Sequence, residues 1–351
     1  MSQRPEPAVR RPRKKRRAAA PVAAPPRLAA PDPALRAPAH GWRTVAAKEL
    51  ADHVLSVRFL VLVVILGLAA AGAVYTAAGA IREVASSATG APSLFLRLFT
   101  VAPDQFPPFV GLVGFLGPLL GIAFGFDGVN GERSEGTLPR LLAQPIHRDD
   151  VINGKFVAGL VAIGLIITAV TLVVAGIGVL QLGIVPPPGD IIRLLVWVVL
   201  AIAYVGFWLA FALLCSVVLR RAATSALVAI GVWIVLTLFA ALLVGIIAGF
   251  VAPSPADGTT DQQVANLSLQ QDLARLSPNR LFEEATAAVL DPTVRTVGIV
   301  LPEQTDRAVG SLLPLEQSLL VIWPQIVILI AVTALAFALG YVSFMRQEVR
   351  A

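Results

Sequence analysis

Six long stretches of apolar residues dominate the chain between residues 59 and 345, and polar residues are concentrated between them. A helix needs about 20 apolar residues to cross the hydrocarbon core of a bilayer, and these stretches are of about that length or longer. The pattern predicts an all-α, polytopic membrane protein with six transmembrane helices: Phe59–Ile81, Phe109–Phe126, Phe156–Gly183, Ile191–Leu219, Ala222–Val251 and Ser318–Met345.

The fourth and fifth stretches are separated only by Arg220–Arg221. Two charged residues in mid-membrane are unfavourable, whereas a tight turn at the membrane surface keeps them in water. This pair therefore indicates the boundary between two spans.

Residues 42–57 show the periodicity of an amphipathic helix. Trp42, Val45, Ala46, Leu50, Val54 and Val57 recur at helical spacing, while polar residues such as Lys48 lie on other faces. The pattern predicts an N-terminal interfacial elbow helix over residues 41–58, in contact with membrane lipid before the first span.

Lysine and arginine are distributed unequally among the connections. If the chain crosses the membrane six times, 21 of the 28 lie on the side of the N-terminus. Because basic residues favour the cytoplasmic side, both termini are predicted to be cytoplasmic. The C-terminal segment, residues 347–351, belongs to that side.

Residues 1–40 are rich in Pro and Ala and contain a basic block, Arg10–Arg17. Such a composition cannot form a core and predicts a disordered basic cytoplasmic tail. The block either attracts anionic lipid headgroups or is a solvated tail that sets orientation, and the charge pattern leaves both open. The first apolar stretch starts too late and is too long for a signal peptide.

No Asp, Glu, Lys or His occurs in the six stretches, and the one charge within their bounds is Arg193 at the outer edge of the fourth. We expect Arg193 to extend towards the membrane surface. Ion relays and intramembrane proteases need ionisable groups at depth, which argues against both. The three histidines and Cys215 form no metal or disulfide pattern, so no catalytic site, metal or cofactor is expected.

The longest connection, residues 252–317, is predicted to be an extracytoplasmic helical loop. Ser277–Pro278 is typical of a helix start, and an apolar stripe follows it as far as Asp291–Pro292. A second helix is predicted over Asp261–Leu276. These helices either pack over the outer mouth of the bundle or form a passive cap. The triplet Asn266-Leu267-Ser268 matches a glycosylation pattern that is frequent by chance.

The inner connection, residues 127–155, contains a short apolar helix. Thr137 can cap it and Pro145 ends it. Leu138, Leu141 and Leu142 then share one face. Three leucines on so short an element need burial, either in lipid headgroups or in a groove of a partner protein.

This inner connection resembles the first cytoplasmic loop of type-2 ABC transporter permeases. The family pattern reads Glu-Arg-x-x-Gly-Thr-Leu-x-x-Leu-Leu-x-x-Pro-Ile-x-Arg, with Gly-Lys before the third span. The residues that carry the resemblance are Glu132, Arg133, Gly136, Thr137, Leu138, Leu141, Leu142, Pro145, Ile146, Arg148, Gly154 and Lys155.

Two further segments resemble the same family. Ala47-Lys48-Glu49-Leu50, after Trp42, is similar to the family's elbow helix. Ser277–Pro278 with Leu281–Phe282 resembles the outer loop in the branch that includes the nitrous-oxide-reductase maturation permease. In topology the resemblance covers residues 41–346, the predicted permease domain.

The resemblance implies the permease subunit of an ATP-driven exporter in a prokaryotic plasma membrane. It implies a second permease copy, identical or homologous, and two separate ATPase subunits. In that family the segment corresponding to residues 132–148 is the coupling helix, which rests on the ATPase. We therefore expect Leu138, Leu141 and Leu142 to form the buried face of that contact, with Glu132 and Arg133 at its rim.

The chain does not match the pattern of a phosphate loop, since Gly154-Lys155 is followed by Phe156 and position 149 is Asp149. We therefore expect a transport subunit that is not itself an enzyme, with ATP bound by the partner and no nucleic-acid partner. An ATP-independent secondary transporter and a membrane scaffold or assembly factor are the alternatives. Spans without charge at depth favour apolar or amphipathic cargo, which the sequence does not identify further.

Overall fold

The computed structural model describes residues 41–87, 93–101, 107–137, 146–183, 185–255, 259–296 and 312–347. Over these residues the chain is helical and contains no β-strand. In chain order the helices are α1 (Gly41–Val54), α2 (Val57–Ser87), α3 (Leu94–Thr100), α4 (Phe109–Gly125), α5 (Asn130–Ser134), α6 (Arg148–Leu182), α7 (Pro188–Val218), α8 (Ala222–Ile234), α9 (Ala240–Val251), α10 (Thr260–Ala274), α11 (Pro278–Leu290) and α12 (Leu315–Arg346).

Six helical segments of the described chain are long and apolar enough to cross a membrane, which confirms the predicted number and order. The largest difference in bounds is at the third span, which begins at Arg148 rather than at Phe156. Its first turn is capped by Asp150, which accepts from the His147 N–H at 3.2 Å, and Lys155 one turn further on is paired with carboxylates of neighbouring helices. Arg220–Arg221 is an exposed turn, as predicted.

Helix α7 is the most buried of the six spans. It contacts α4, α6, α11 and α12, so it forms the centre of the bundle. Its side chains Trp197, Tyr204 and Trp208 are fully buried. Aromatic rings of this size contribute much of the packed core.

Helix α4 packs against α7 through a row of glycines spaced four residues apart. A Cβ atom at Gly121 would lie 2.5 Å from the Val205 carbonyl oxygen, and one at Gly125 would lie 2.8 Å from the Leu209 carbonyl oxygen. Only glycine allows the two backbones to approach this closely. The glycines of this stretch therefore form the face by which α4 packs against α7.

The fifth span is not a continuous α-helix. A π-helical segment, Val235–Phe239, separates α8 from α9, and the sequence analysis does not predict it. Helix α11 supplies polar partners to this segment: Ser277 Oγ donates to the Leu236 carbonyl at 3.1 Å, and Asn279 donates to Thr237 Oγ1. These bonds satisfy polar groups at a point where the regular helical pattern is broken.

The long connection after α9 folds into a helical hairpin that enters the bundle. Helix α10 runs antiparallel along α9, because Asn266 bonds to the Ala248 carbonyl while Ser277 bonds to that of Leu236. The chain then turns, and α11 returns along α7, with Asn279 at Tyr204 and Val289 at Arg193.

The hairpin reaches about halfway through the bundle. Tyr204 lies about 16 residues after Pro188, which is about 24 Å along the axis of α7. The two predicted helices of the loop are confirmed at Thr260–Ala274 and Pro278–Leu290. Neither of the predicted arrangements is correct, since the pair neither covers the mouth nor lies on it but inserts beside α7, α9 and α12. The apolar stripe of α11 requires this burial.

Two details of this region differ from expectation. Arg193 does not extend to the surface: its side chain is 6% exposed. It donates to the Val289 carbonyl at 2.8 Å, to Ser318 Oγ at 3.2 Å and to the Leu313 carbonyl. Asn266, the glycosylation candidate, is buried and donates to the carbonyls of α9, so its amide is part of the packing.

Candidate functional site

The elbow helix α1 packs on the first turns of α6. A Cβ atom at Gly154 would lie 2.7 Å from Val45 Cβ and 2.9 Å from the Trp42 carbonyl oxygen, so glycine is required at this contact. The helical conformation is interrupted at Leu55–Ser56 before α2, so α1 is a separate helix, as predicted.

The face that α1 buries is narrower than the sequence suggests. Val45 is buried, whereas Trp42 and Leu50 are half-buried. Val54 and Val57 are exposed, because the helix ends at Val54 and Val57 already belongs to α2. The interfacial position of α1 stays a prediction.

A buried ion cluster joins α1, α5 and α6. Lys155 Nζ lies 2.7 Å from Glu132 Oε1 and 3.0 Å from Glu49 Oε1, and its side chain is 6% exposed. One ammonium thus neutralises two carboxylates from different helices. The cluster fixes Glu132, at the start of the predicted coupling segment, to the elbow helix and to the third span.

A second polar cluster lies around Gln347 at the end of α12. Arg133 donates to the Gln347 side-chain oxygen, and Arg148 Nη1 donates to its backbone carbonyl at 3.3 Å. The Gln347 amide in turn donates to the Val217 carbonyl at 2.8 Å. Both flanks of residues 134–147 are therefore bonded to the ends of spans four and six.

Ser216 of α7 completes this surface. Its Oγ accepts hydrogen bonds from the backbone N–H groups of Val129 and Asn130, at 2.9 and 3.2 Å. These are donors at the start of α5, which otherwise lack an acceptor within the helix. Both Ser216 and Asn130 are buried, so the turn after α4 is held firmly against α7.

His53 of α1 lies against Phe124, with the ring centroids 4.9 Å apart. Burial lowers the pKa of His53, since desolvation disfavours the charged imidazolium. Lys155 acts in the same direction, whereas Glu49, Asp127 and Asp52 oppose it. The neutral imidazole is therefore the favoured form beside this cluster.

Five of the nine coupling residues predicted from the sequence are described by the structure, and their side chains or backbone are engaged within the chain. Glu132, Arg133 and Arg148 make the bonds given above, and Thr137 Oγ1 donates to the Glu132 carbonyl at 3.2 Å. Gly136 has a positive φ of 68°, a conformation that favours glycine. Leu138, Leu141, Leu142 and Pro145 lie outside the described residues, and their contact with an ATPase stays a prediction.

The elbow residues chosen from the sequence have different environments. Glu49 belongs to the buried ion cluster, whereas Lys48 is exposed and pairs with Asp52 at 2.9 Å. Gln347, Asn130 and Ser216 were missed, because polar residues at helix ends give no periodic signal. No group of three or more His, Cys, Asp or Glu side chains able to hold a metal occurs within the described residues.

Charged residues also lie deep in the opposite half of the bundle. Glu284 of α11 is 5% exposed and accepts from Gln325 of α12 at 2.9 Å. Arg275 and Arg280 lie 3.0 and 3.2 Å from its two oxygens. The spans contain no carboxylate of their own at this level, and the inserted hairpin supplies one.

Comparison with known proteins places the chain in a family. The family described as ABC-2 family transporter protein matches residues 43–349. A probable ABC transporter permease protein NosY of Pseudomonas aeruginosa is 30% identical over 130 residues, which cover 37% of this chain and 41% of that protein. A protein of the same name from Stutzerimonas stutzeri is 27% identical over 199 residues, 55% of this chain and 66% of that protein.

These two matches each span less than two thirds of the relative's length, whereas the family match covers most of the present chain. Together with the six spans, the family match shows that this protein belongs to the ABC-2 family of transporter proteins and is a multi-pass membrane permease of an ABC transporter.

Proposed function

We propose that the chain is the membrane-spanning permease subunit of an ATP-driven ABC exporter. In this proposal, separate ATPase subunits bind residues 132–148, and ATP binding and hydrolysis there move the spans. Two relatives are named as probable ABC transporter permease proteins, which supports the permease role, and export as the direction of transport is part of the proposal.

The observation that carries the proposal is the anchoring of both flanks of residues 132–148. Glu132 is bonded to Lys155, and Arg133 and Arg148 are both bonded to Gln347. Force applied to this segment would reach α1, α6 and α12 directly through charged hydrogen bonds, which are stronger than neutral ones. A loop that only rested in lipid headgroups would not need such anchoring.

A second permease copy is part of the proposal. Spans one, five and six bury little of their apolar surface within the chain. In a transporter, part of this surface faces lipid and part faces the partner copy that completes the translocation pathway. The excess of basic residues on the side of the termini supports a plasma-membrane protein with both termini in the cytoplasm.

The test is co-purification with the ATPase. Replacing Leu141 and Leu142 together by Asp should abolish it, because two carboxylates cannot be buried unpaired in an apolar groove. Val185→Asp, an exposed apolar residue of the turn between α6 and α7, is the matched control and should leave co-purification unchanged. Membrane insertion is checked by fractionation. If the double variant inserts and still binds the ATPase fully, the proposed coupling surface is wrong.

A further inference from the structure

The helical hairpin α10–α11 brings charge to the middle of an otherwise apolar bundle. Its tip and the following turn of α11 contain Arg275, Arg280, Glu283 and Glu284. At this depth polar groups are tolerated only where they are buried in protein or line a cavity filled with water. Glu284 meets the first condition, since it is 5% exposed and bonded to Gln325.

Glu283 and Arg280 line a cavity, which the second condition requires to be filled with water. Their side chains are 63% and 45% exposed and lie 3.5 Å apart as an ion pair. Both line a cavity of about 580 Å³ between α11, α10 and the fifth span. This volume is in the range of pockets that hold small organic molecules.

The two walls of this cavity differ in chemistry. The wall formed by the fifth span is apolar except for Thr237, whose Oγ1 accepts from Asn279, and consists of Leu236, Ala240, Ala241 and Val244. The opposite wall, formed by the hairpin, carries Gln270 and the Arg280–Glu283 pair. A molecule that fits both walls has an apolar part and a polar, hydrogen-bonding part.

The charges of the polar wall cancel. The cavity is lined by one arginine and one glutamate. Behind them Arg275 pairs with the buried Glu284 and, at 3.7 Å, with the exposed Asp272, neither of which lines the cavity. A net cation or anion gains little from such a balanced site and must still lose its hydration. A headgroup that is neutral overall, or that carries both charges, can pair with Arg280 and Glu283 together.

We propose that this cavity binds an amphipathic molecule of zero net charge, with its apolar part against α9 and its polar headgroup against the tip of the hairpin. The assignment of this molecule as cargo depends on the proposed transport function. A membrane lipid with a zwitterionic headgroup has the same chemistry and is distinguished from cargo by the experiment.

The test measures the reactivity of one introduced cysteine. Cys215 is the chain's single cysteine, so a Cys215→Ser background makes Ala241→Cys the sole thiol. The protein, with any second copy that co-purifies, is placed in nanodiscs and treated with a membrane-impermeant methanethiosulfonate. Leu242→Cys is the matched control, because Leu242 is exposed but points away from the cavity. Ala241→Cys should react about tenfold faster, since water reaches it.

Ligand binding is read as protection of Ala241→Cys. Lysophosphatidylcholine should slow the reaction about tenfold, whereas lysophosphatidylglycerol and dodecyltrimethylammonium, which carry a net charge, should have little effect. Glu283→Gln gives the site a net positive charge and should shift protection towards lysophosphatidylglycerol. Asp261→Asn removes one negative charge in the first turn of α10, outside the cavity. It should leave the order of protection by the three probes unchanged.

Each result decides a different point. An unreactive Ala241→Cys, absent protection by every probe, or equal protection by charged and uncharged probes would overturn the proposal. If discs of phosphatidylcholine protect without added probe and discs of phosphatidylglycerol do not, the bound molecule is a bilayer lipid. This assay uses the permease without the ATPase, so protection would persist even if the co-purification test failed. The ligand site and the ATPase contact can therefore be refuted independently.

Discussion

Individual charges in this protein are placed where helices meet, and Lys155 shows why that matters. It is 6% exposed and lies between two carboxylates, Glu49 and Glu132, from helices that precede and follow the second span. Taking a charge out of water is unfavourable unless partners compensate for the lost hydration. The three residues therefore stabilise the junction only as a set.

Lys155→Met should lower the free energy of unfolding by about 3 kcal/mol, because two largely buried carboxylates lose their common cation. Lys48→Met is the control at an exposed lysine, whose pair with Asp52 should be worth about 1 kcal/mol or less. Thermal unfolding in detergent, followed by tryptophan fluorescence, measures both variants. Equal losses would show that Lys155 is no more important to the fold than a surface lysine.

At the scale of residues, the sequence predicts the apolar stretches correctly but does not predict how deeply the charged loop inserts between the helices. The six apolar stretches contain no carboxylate, and those of α6, α7 and α12 lie in the first turns of these helices, yet Glu284 reaches the level of Gln325 from a connecting loop. No periodicity in the loop reveals how far it inserts. Apolar or amphipathic cargo stays a prediction, and the charged hairpin adds a polar cavity wall that the apolar stretches alone do not predict.

At the level of helices, the packing of α4 against α7 depends on the absence of Cβ atoms at three glycines of α4. Gly117, Gly121 and Gly125 lie on one face, and each would place a Cβ atom within 3 Å of α7. Backbones that approach this closely gain dispersion contacts along their whole length. The same glycines raise the entropic cost of ordering the helix, so their packing must outweigh it.

Gly121→Ala should destabilise the protein by about 1–3 kcal/mol, since the added methyl group lies 2.5 Å from a backbone oxygen that cannot move independently. The matched control is Gly67→Ala in α2, where no atom lies within 4 Å. It should be neutral or stabilising by up to about 1 kcal/mol, because alanine favours helix. Thermal unfolding of the two variants side by side distinguishes packing from helix propensity, which would raise the stability of both.

The number and order of the helices were predictable because a run of about 20 apolar residues has the length and composition of a transmembrane helix. The π-helical segment Val235–Phe239 was not, since it depends on Ser277 and Asn279 from α11 rather than on its own residues. The start of α6 at Arg148 is partly local, since Asp150 accepts from the His147 N–H at 3.2 Å, and partly tertiary, since Lys155 pairs with Glu49 and Glu132. Local sequence therefore predicts which helices exist, and contacts between helices decide where they break.

For the whole molecule, an even number of spans places both ends of the described chain on one face. The clusters around Lys155 and Gln347 lie on that face, and the hairpin α10–α11 enters from the other. The proposed coupling segment, residues 132–148, therefore lies at the end of the bundle that carries the termini, whereas the proposed ligand cavity is lined by the fifth span and by the hairpin that enters from the other end. The helices α7 and α12 contact both ends of this arrangement, since they are bonded near residues 132–148 through Gln347 and pack against α11 of the hairpin.

This arrangement predicts which face is outside the cell. In the Cys215→Ser background, Val185→Cys, exposed in the turn between α6 and α7, should react with an impermeant maleimide added to intact cells. Ser134→Cys, exposed at the end of α5, should react only once the membrane is permeabilised, because basic residues are retained on the cytoplasmic side. The reverse pattern would turn the side from which the hairpin enters towards the cytoplasm. Residues 132–148 would then be outside, where no ATPase could reach them.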